Sequence, residues 1–370
     1  MDSGMKNATR CLTLLSGLLF GNSTEDPEQS GNDVATQNFK DALRGFVRPD
    51  FGELWGLASS HHVIMRTFPE LRRLIEDEGS DKAEWVDHAV VKEQARIDRA
   101  LSFLSSICEA LGRVGDVVVI KSLDHWPDLG SDLDLYSNAE SADIVAIMRE
   151  RFKAQAAERS WGDRLANKWN FIVPGLPELV EVHVGRLGQT GEQVAITNSL
   201  VSRASNVRFG TYTLRVPAAE DRLIISTLQR MYRHFYLRLC DIADTARLLS
   251  SGSVDYTYLQ KLARSAGLWD GLATYLVTVA GYVQSYGGEK LPLPALVTEA
   301  SRFGNSEIQF RRKFLRIPIF PHAASFYTSE WKKLLLNGEL QNMLRLSLLP
   351  GLAAAAMLEF KLTGSDKGVW

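Results

Sequence analysis

The chain is 370 residues long, 45% hydrophobic and 23% charged, ordinary values for a globular protein and far from the apolar-poor, charge-rich composition of a disordered one. That length suffices for a large core and predicts two or three structural units rather than one. A formal net charge of −2 excludes a whole-molecule field that would gather a polyanion, so any contact with nucleic acid has to be local.

In chain order, "CLTLLSGLLFG" has the length of a signal-peptide apolar region, but its leader mixes Asp2 with Lys6 and Arg10 and no small-x-small cleavage site follows. It is read as a packed helix. The polar, turn-rich "NSTEDPEQSGNDV", residues 22–34, is expected to be a loop. From about residue 36 to 111 the pattern is helical. In "RIDRALSFLSSICEALGRVG" the apolar residues Ile97, Leu101, Leu104, Ile107, Cys108 and Leu111 recur at helical period and stop at Gly112. The three cysteines, Cys11, Cys108 and Cys240, stand far apart with no CxxC spacing, which predicts buried reduced thiols in a cytoplasmic protein.

The pattern then changes. "DVVVIKSL" is a continuous β-branched run that reads as a central strand covered on both faces. After a loop with Pro127 and Gly130, "SDLDLYS" alternates acid with leucine. Ser137 and Glu140 have capping-box spacing ahead of a helix carrying Ile144, Ile147, Met148 and Phe152. "WNFIVP", "LVEVHVG" and "FGTYTLRVP" are further strand candidates. From Ala218 the chain reads as helices again, two in residues 218–252 and two more ending at Gly287 and Gly288. Near the end, "MLRLSLLPGLAAAAMLEFKL" approaches spanning length but contains Arg345, Pro350, Glu359 and Lys361, so a buried or interfacial helix is expected rather than a membrane span. The predicted organisation is a helical region over 1–111, an α/β core over 112–217, a helical domain over 218–300 and a helical extension over 301–370.

Asp132 and Asp134 carry the chemistry. In a strand, residues two apart share a face, so both acids project together while Leu133 and Leu135 enter the core. Carboxylates that close raise one another's pKa unless a cation sits between them. A hard divalent ion resolves the conflict, and Mg²⁺, which keeps water and substrate phosphate among its ligands, serves phosphoryl and nucleotidyl transfer. An edge strand turning its acids to solvent would have the same D-x-D spacing.

The pieces "VIKSL", "GSDLDLY" and "VEVHVG" together resemble the nucleotidyltransferase superfamily related to DNA polymerase beta, and more particularly its uncharacterised bacterial nucleotidyltransferase family. The likeness covers most of residues 35–295. It implies a small mixed sheet of nucleotidyltransferase type flanked by N- and C-terminal helices, with Mg²⁺ or Mn²⁺ held by Asp132, Asp134 and a third acid, Glu181. It also implies an NTP contacted by Lys121 and Ser122 of the first turn and by Gly130 and Ser131 before the acids. The turn departs from the commoner Gly-Ser or Gly-Gly, and Glu181 stands where Asp is commoner.

Other residues are open to two readings. Lys121 reaches a triphosphate or simply reaches water; Ser122 bonds phosphate or caps the turn. His183 orients Glu181 or is a satisfied structural histidine. Arg230, Arg233 and Arg238, with His234 among them, clamp phosphate or acceptor, or pair with Glu220, Asp221 and Asp241. Trp126 stacks on a base or closes its loop over the sheet. The basic stretch "RFGNSEIQFRRKFLR", residues 302–316, is expected to be an amphipathic helix. His61 and His62 have no second ligand pair nearby in sequence and are not read as a metal site. The expected activity is transfer of a nucleoside monophosphate from an NTP to an unknown acceptor; the alternative is a non-catalytic nucleotide-binding or protein-interaction module of the same fold.

Overall fold

The computed structural model describes residues 3–21, 47–75, 80–318, 321–352 and 354–355, and the loop expected over 22–34 lies outside them. The fold is mixed α/β, with small sheets flanked by helices. Among the described residues four helices, α1 (Ser3–Phe20), α2 (Arg48–Ser60), α3 (Ile64–Leu74) and α4 (Ser80–Leu111), precede the first strand. The apolar run near the N-terminus forms α1 as expected, with Cys11, Leu12, Leu14 and Leu15 buried.

Five strands make the main sheet: β1 (Val117–Val119), β2 (Leu133–Ser137), β3 (Gln155–Ala156), β4 (Lys168–Ile172) and β5 (Val180–Val184), in the order β1-β2-β5-β4-β3. Only β2 and β5 run parallel; the other pairs are antiparallel. The β-branched run therefore lies at one end of the ladder rather than at its centre. It is covered on both faces all the same, because the helices of both sides reach it. Between β2 and β5 lie α5 (Ser141–Phe152) and α6 (Trp161–Ala166). Ser137 does not cap α5: it ends β2, and Glu140 is the cap residue instead. After β5 come α7 (Val194–Arg203) and a separate hairpin, β6 (Ser205–Phe209) with β7 (Tyr212–Val216), so the last strand candidate pairs within itself.

Period-two alternation sorts the sheet's side chains between two cores. Val117, Val119, Leu133, Leu135, Val180 and Val182 face Ile97, Leu101, Leu104 and Ile107 of α4 and Ile144 and Met148 of α5. Val118, Ile120 and Tyr136 face the opposite way, into a second core shared by α1–α3 and the C-terminal helices. These are α8 (Ala219–Thr227), α9 (Leu239–Ser250), α10 (Tyr256–Ser265) and α11 (Trp269–Ser285), followed by the short α12 (Ala295–Thr298). The two expected pairs are present, with one addition: α8 continues into a π-helical turn, Leu228–His234. Helices α1–α3 and α8–α11 thus bury their apolar faces in one shared core. The 32-residue α4, about 48 Å at 1.5 Å per residue, serves both cores, its N-terminal half through Val86 and Ala89 and its C-terminal half against the sheet.

The basic stretch 302–316 is not a helix. It forms a hairpin, β9 (Gln309–Arg311) with β10 (Phe314–Arg316), turned by Arg312 and Lys313 at φ 50° and 65° and joined to β8 (Tyr236–Leu237). Tyr236 stacks on Phe314 at 4.3 Å between ring centres, a partnership across nearly eighty residues that outweighs local helix period. Helices α13 (His322–Leu336) and α14 (Leu340–Ser347) follow, residues 349–352 and 354–355 are helical, and residues 353 and 356–362 of the expected last helix lie outside the described residues. Among the described residues no helix is long and apolar enough to cross a membrane, and the three cysteines are free.

Candidate active site on the acid face of the sheet

The parallel register sets Asp134 beside Glu181 and Tyr136 beside His183. All four project from the face opposite the α4 core. Asp132 lies one residue before β2, half-buried, so the two acids of the D-x-D come from a turn and a strand rather than from one strand.

The turn that carries Lys121 is fixed by Ser122, whose buried hydroxyl accepts the Asp134 N–H at 2.7 Å and donates to the Asp132 carbonyl at 2.9 Å. Both capacities are spent on ordering the acids, and Ser122 therefore takes the capping role. Lys121 adopts φ 61°, the left-handed region that favours glycine, and this directs its side chain across the acids. Its ammonium pairs with Asp134 Oδ1 and lies 3.6 Å from Glu181 Oε1. Lys168 of β4 approaches from the other side, 2.9 Å from Glu181 Oε2 and 3.0 Å from Asp163. His183 Nε2 is 2.8 Å from Glu181 Oε1, so His183 orients that carboxylate.

The charges are uneven. Burial alone would raise Glu181, but Lys121, Lys168 and His183 hold its carboxyl well below the usual carboxylate range. Asp132 is pushed up, first by burial and then by repulsion from Asp134 and Glu181. Lys121 is raised because the two acids outweigh its burial.

The loop 121–132 is held from outside. Arg96 of α4 donates to the Leu129 and Gly130 carbonyls at 3.0 and 3.1 Å and pairs with Glu178 at 3.1 Å. Asp128 accepts the Met65 and Arg66 N–H groups at the start of α3; its carboxyl is pushed up to about 7, chiefly by burial. Gly130 spends its N–H on the Ser122 carbonyl, while Ser131 is exposed with its hydroxyl on Asp132. Trp126 packs edge-on against Phe209 at 5.6 Å, which closes the loop over the hairpin.

A crevice between the acid face and the π-helical turn is lined by Lys121, His183, Gly188, Gln189, Gln229 and Arg233. Arg230 is not among them: it is fully buried, its Nε 2.7 Å from Asp241 Oδ2. The π turn, closing over five residues rather than four, changes which of its arginines faces the sheet. Lys168, Gln189 and Gln229 gave no sequence signal beyond the polar alternation "KWNFI".

Among the described residues this face has one group of donors that could hold a metal ion, and Asp132 is not part of it. Oxygens of Asp134 and Glu181 and a ring nitrogen of His183 lie within 4.8 Å of one another, and the buried Nδ1 of His183 has no hydrogen-bond partner among the described residues. Lys121 competes for the same oxygens.

No family model matches the chain, and no solved structure matches it. Over 99 residues, 25% of this chain, it is 31% identical to a protein of Thermosipho melanesiensis named "Probable sucrose-phosphate synthase", a stretch spanning 23% of that protein's length. A likeness this partial shows no family membership.

Proposed function

We propose that the chain transfers a nucleoside monophosphate from an NTP to an acceptor hydroxyl or similar group, with Asp132, Asp134 and Glu181 as its acid centre. The observation that carries this is the register pairing of Asp134 with Glu181, beside Asp132, under a crevice edged by Lys121 and Arg233. The three acids would hold Mg²⁺ or Mn²⁺, which supplies charge neutralisation to the triphosphate and lowers the acceptor's pKa. Lys121, resting on the acids, is placed to shift its ammonium onto the β and γ phosphates as the nucleotide arrives. Arg233 edges the same space. Glu181, kept anionic by Lys121 and Lys168 and oriented by His183, would hold the ion that activates the acceptor. Free thiols are in keeping with a reducing, cytoplasmic setting.

One observation favours a second reading. The Lys121 ammonium already lies between Asp134 and Glu181, where an ion would act, as expected of a non-catalytic nucleotide-binding or protein-interaction module that keeps the sheet. Metal-dependent pyrophosphate release from a panel of NTPs, with cell lysate as the source of acceptor, separates the two. Release that disappears in Asp134→Asn supports transfer, and NTP binding without release supports the module.

A further inference from the structure

A second cluster of ligand atoms joins the loop 121–132 to α9. His125 of the loop meets Cys240 and Asp241 in the first turn of α9, and all three are buried. Cys240 Sγ is 3.8 Å from His125 Nε2 and 4.0 Å from Asp241 Oδ1, at the outer limit for sulfur hydrogen bonds. Their far sides are tied much more tightly. His125 Nδ1 lies 2.5 Å from Asp244 Oδ2, and Asp244 is held in turn by Arg66 at 2.5 Å. Asp241 Oδ2 takes the Arg230 guanidinium and the Arg238 N–H, both at 2.7 Å. A sulfur, a ring nitrogen and a carboxylate oxygen are therefore oriented from outside toward a shared point, with only weak bonds among themselves.

We propose that Cys240 Sγ, His125 Nε2 and Asp241 Oδ1 bind a Zn²⁺ ion, with Asp244 as the positioning residue for His125. A thiolate selects a borderline-soft ion such as Zn²⁺ over Mg²⁺. Zn–S near 2.3 Å and Zn–N or Zn–O near 2.0 Å give tetrahedral edges of about 3.5 Å, so the two sulfur separations need to contract by about 0.3–0.5 Å, while the ring nitrogen and the carboxylate oxygen lie within 4.8 Å of each other. The carboxylate on the far nitrogen of His125 keeps that nitrogen protonated and turns Nε2 inward, the usual outer-shell arrangement of a zinc histidine. The thiol proton and the proton on Nε2 both leave to solvent as the Zn–S and Zn–N bonds form. The ion would fasten the loop carrying Lys121, Gly130 and Asp132 to α9, stabilising the acid face. The assignment does not depend on nucleotidyl transfer.

The test uses the full chain produced in medium supplied with Zn²⁺ or with Co²⁺, followed by metal analysis and absorption spectroscopy. The proposal expects about one zinc per chain and a thiolate-to-cobalt charge-transfer band. The acid face has no sulfur among its ligands and cannot give that band. Cys240→Ser should lose it. Because that variant could fail to fold, the decisive protein is Cys11→Ser/Cys108→Ser, which keeps Cys240 as its single thiol and should keep the band. Absence of the band from the wild type, loss of it in the double variant, or persistence of it in Cys240→Ser would overturn the proposal.

Discussion

Replacing Lys121 by alanine should move two affinities in opposite directions. Its ammonium competes with a divalent ion for Asp134 and Glu181, yet on the proposed reading it helps the nucleotide. At 3.6 Å, its attraction to Glu181 Oε1 is roughly 4–5 kcal/mol at an effective dielectric of about 20, and desolvation of the ammonium returns most of that. A remainder of about 1.4 kcal/mol is tenfold, so Lys121→Ala should bind Mn²⁺ or Mg²⁺ alone at least about tenfold more tightly. A lost charge-assisted contact to phosphate is worth about 1.5–3 kcal/mol, so the same variant should bind Mg·ATP roughly 10- to 150-fold more weakly. Alanine meets the same left-handed penalty at φ 61° as lysine, and the comparison therefore isolates the ammonium. Titration calorimetry of the ion and of Mg·ATP reads both values. Affinities that fall together, or that both stay unchanged, would refute a lysine exchanged between acids and phosphates.

Three other changes have definite outcomes. Glu181→Gln leaves Lys121 on Asp134 and Lys168 on Asp163, so it should fold and bind Mg·ATP near normally while turning over at least about a hundredfold slower; equal losses in binding and turnover would remove its role in activating the acceptor. Arg230→Met strands the buried Asp241 carboxylate and should cost about 3–5 kcal/mol of stability in urea unfolding, whereas Arg233→Met, which removes a cation from the crevice, should weaken Mg·ATP binding. Burial foremost, with Arg238 and Arg230 adding to it, holds His61 down at about 4, and its Nδ1 accepts the Leu239 N–H at 2.9 Å. Below about pH 6.5 the unfolded chain takes the proton first, so stability should fall toward pH 4 by on the order of 3 kcal/mol; a His61→Asn variant with the same pH dependence would show that His61 is not responsible.

The strand-level logic was legible because it is local. Alternation in "SDLDLYS" and "VEVHVG" put Asp134, Glu181 and His183 on one face, and the structure has them there. What escaped depends on geometry that period alone does not carry. The direction of Lys121 follows from a positive φ at a non-glycine residue, which residue identity does not announce. Lys168 carries no sequence signal because its partners, Asp163 and Glu181, lie on other elements. Arg230, Arg233 and Arg238 had the same two readings in the sequence, and only the π-helical turn's geometry sorts Arg230 onto Asp241 and Arg233 to the crevice. The Phe310 and Phe314 spacing suits a helix as well as a hairpin, and only the distant Tyr236–Leu237 strand decides between them. Ser137 had the spacing of a cap but was needed to finish β2. The cluster of His125, Cys240 and Asp241 joins residues more than a hundred positions apart, beyond the reach of any spacing rule.

The claim that the acid face performs nucleotidyl transfer is tested most directly by following the two ends of the triphosphate. The wild-type chain and Asp134→Asn would be incubated with Mg²⁺, lysate and ATP labelled at either the α or the γ phosphate. The account predicts label from the α position on an acceptor and γ label only in pyrophosphate, with both lost in Asp134→Asn. Transfer of γ label to the acceptor, or α transfer undiminished in Asp134→Asn, would contradict it.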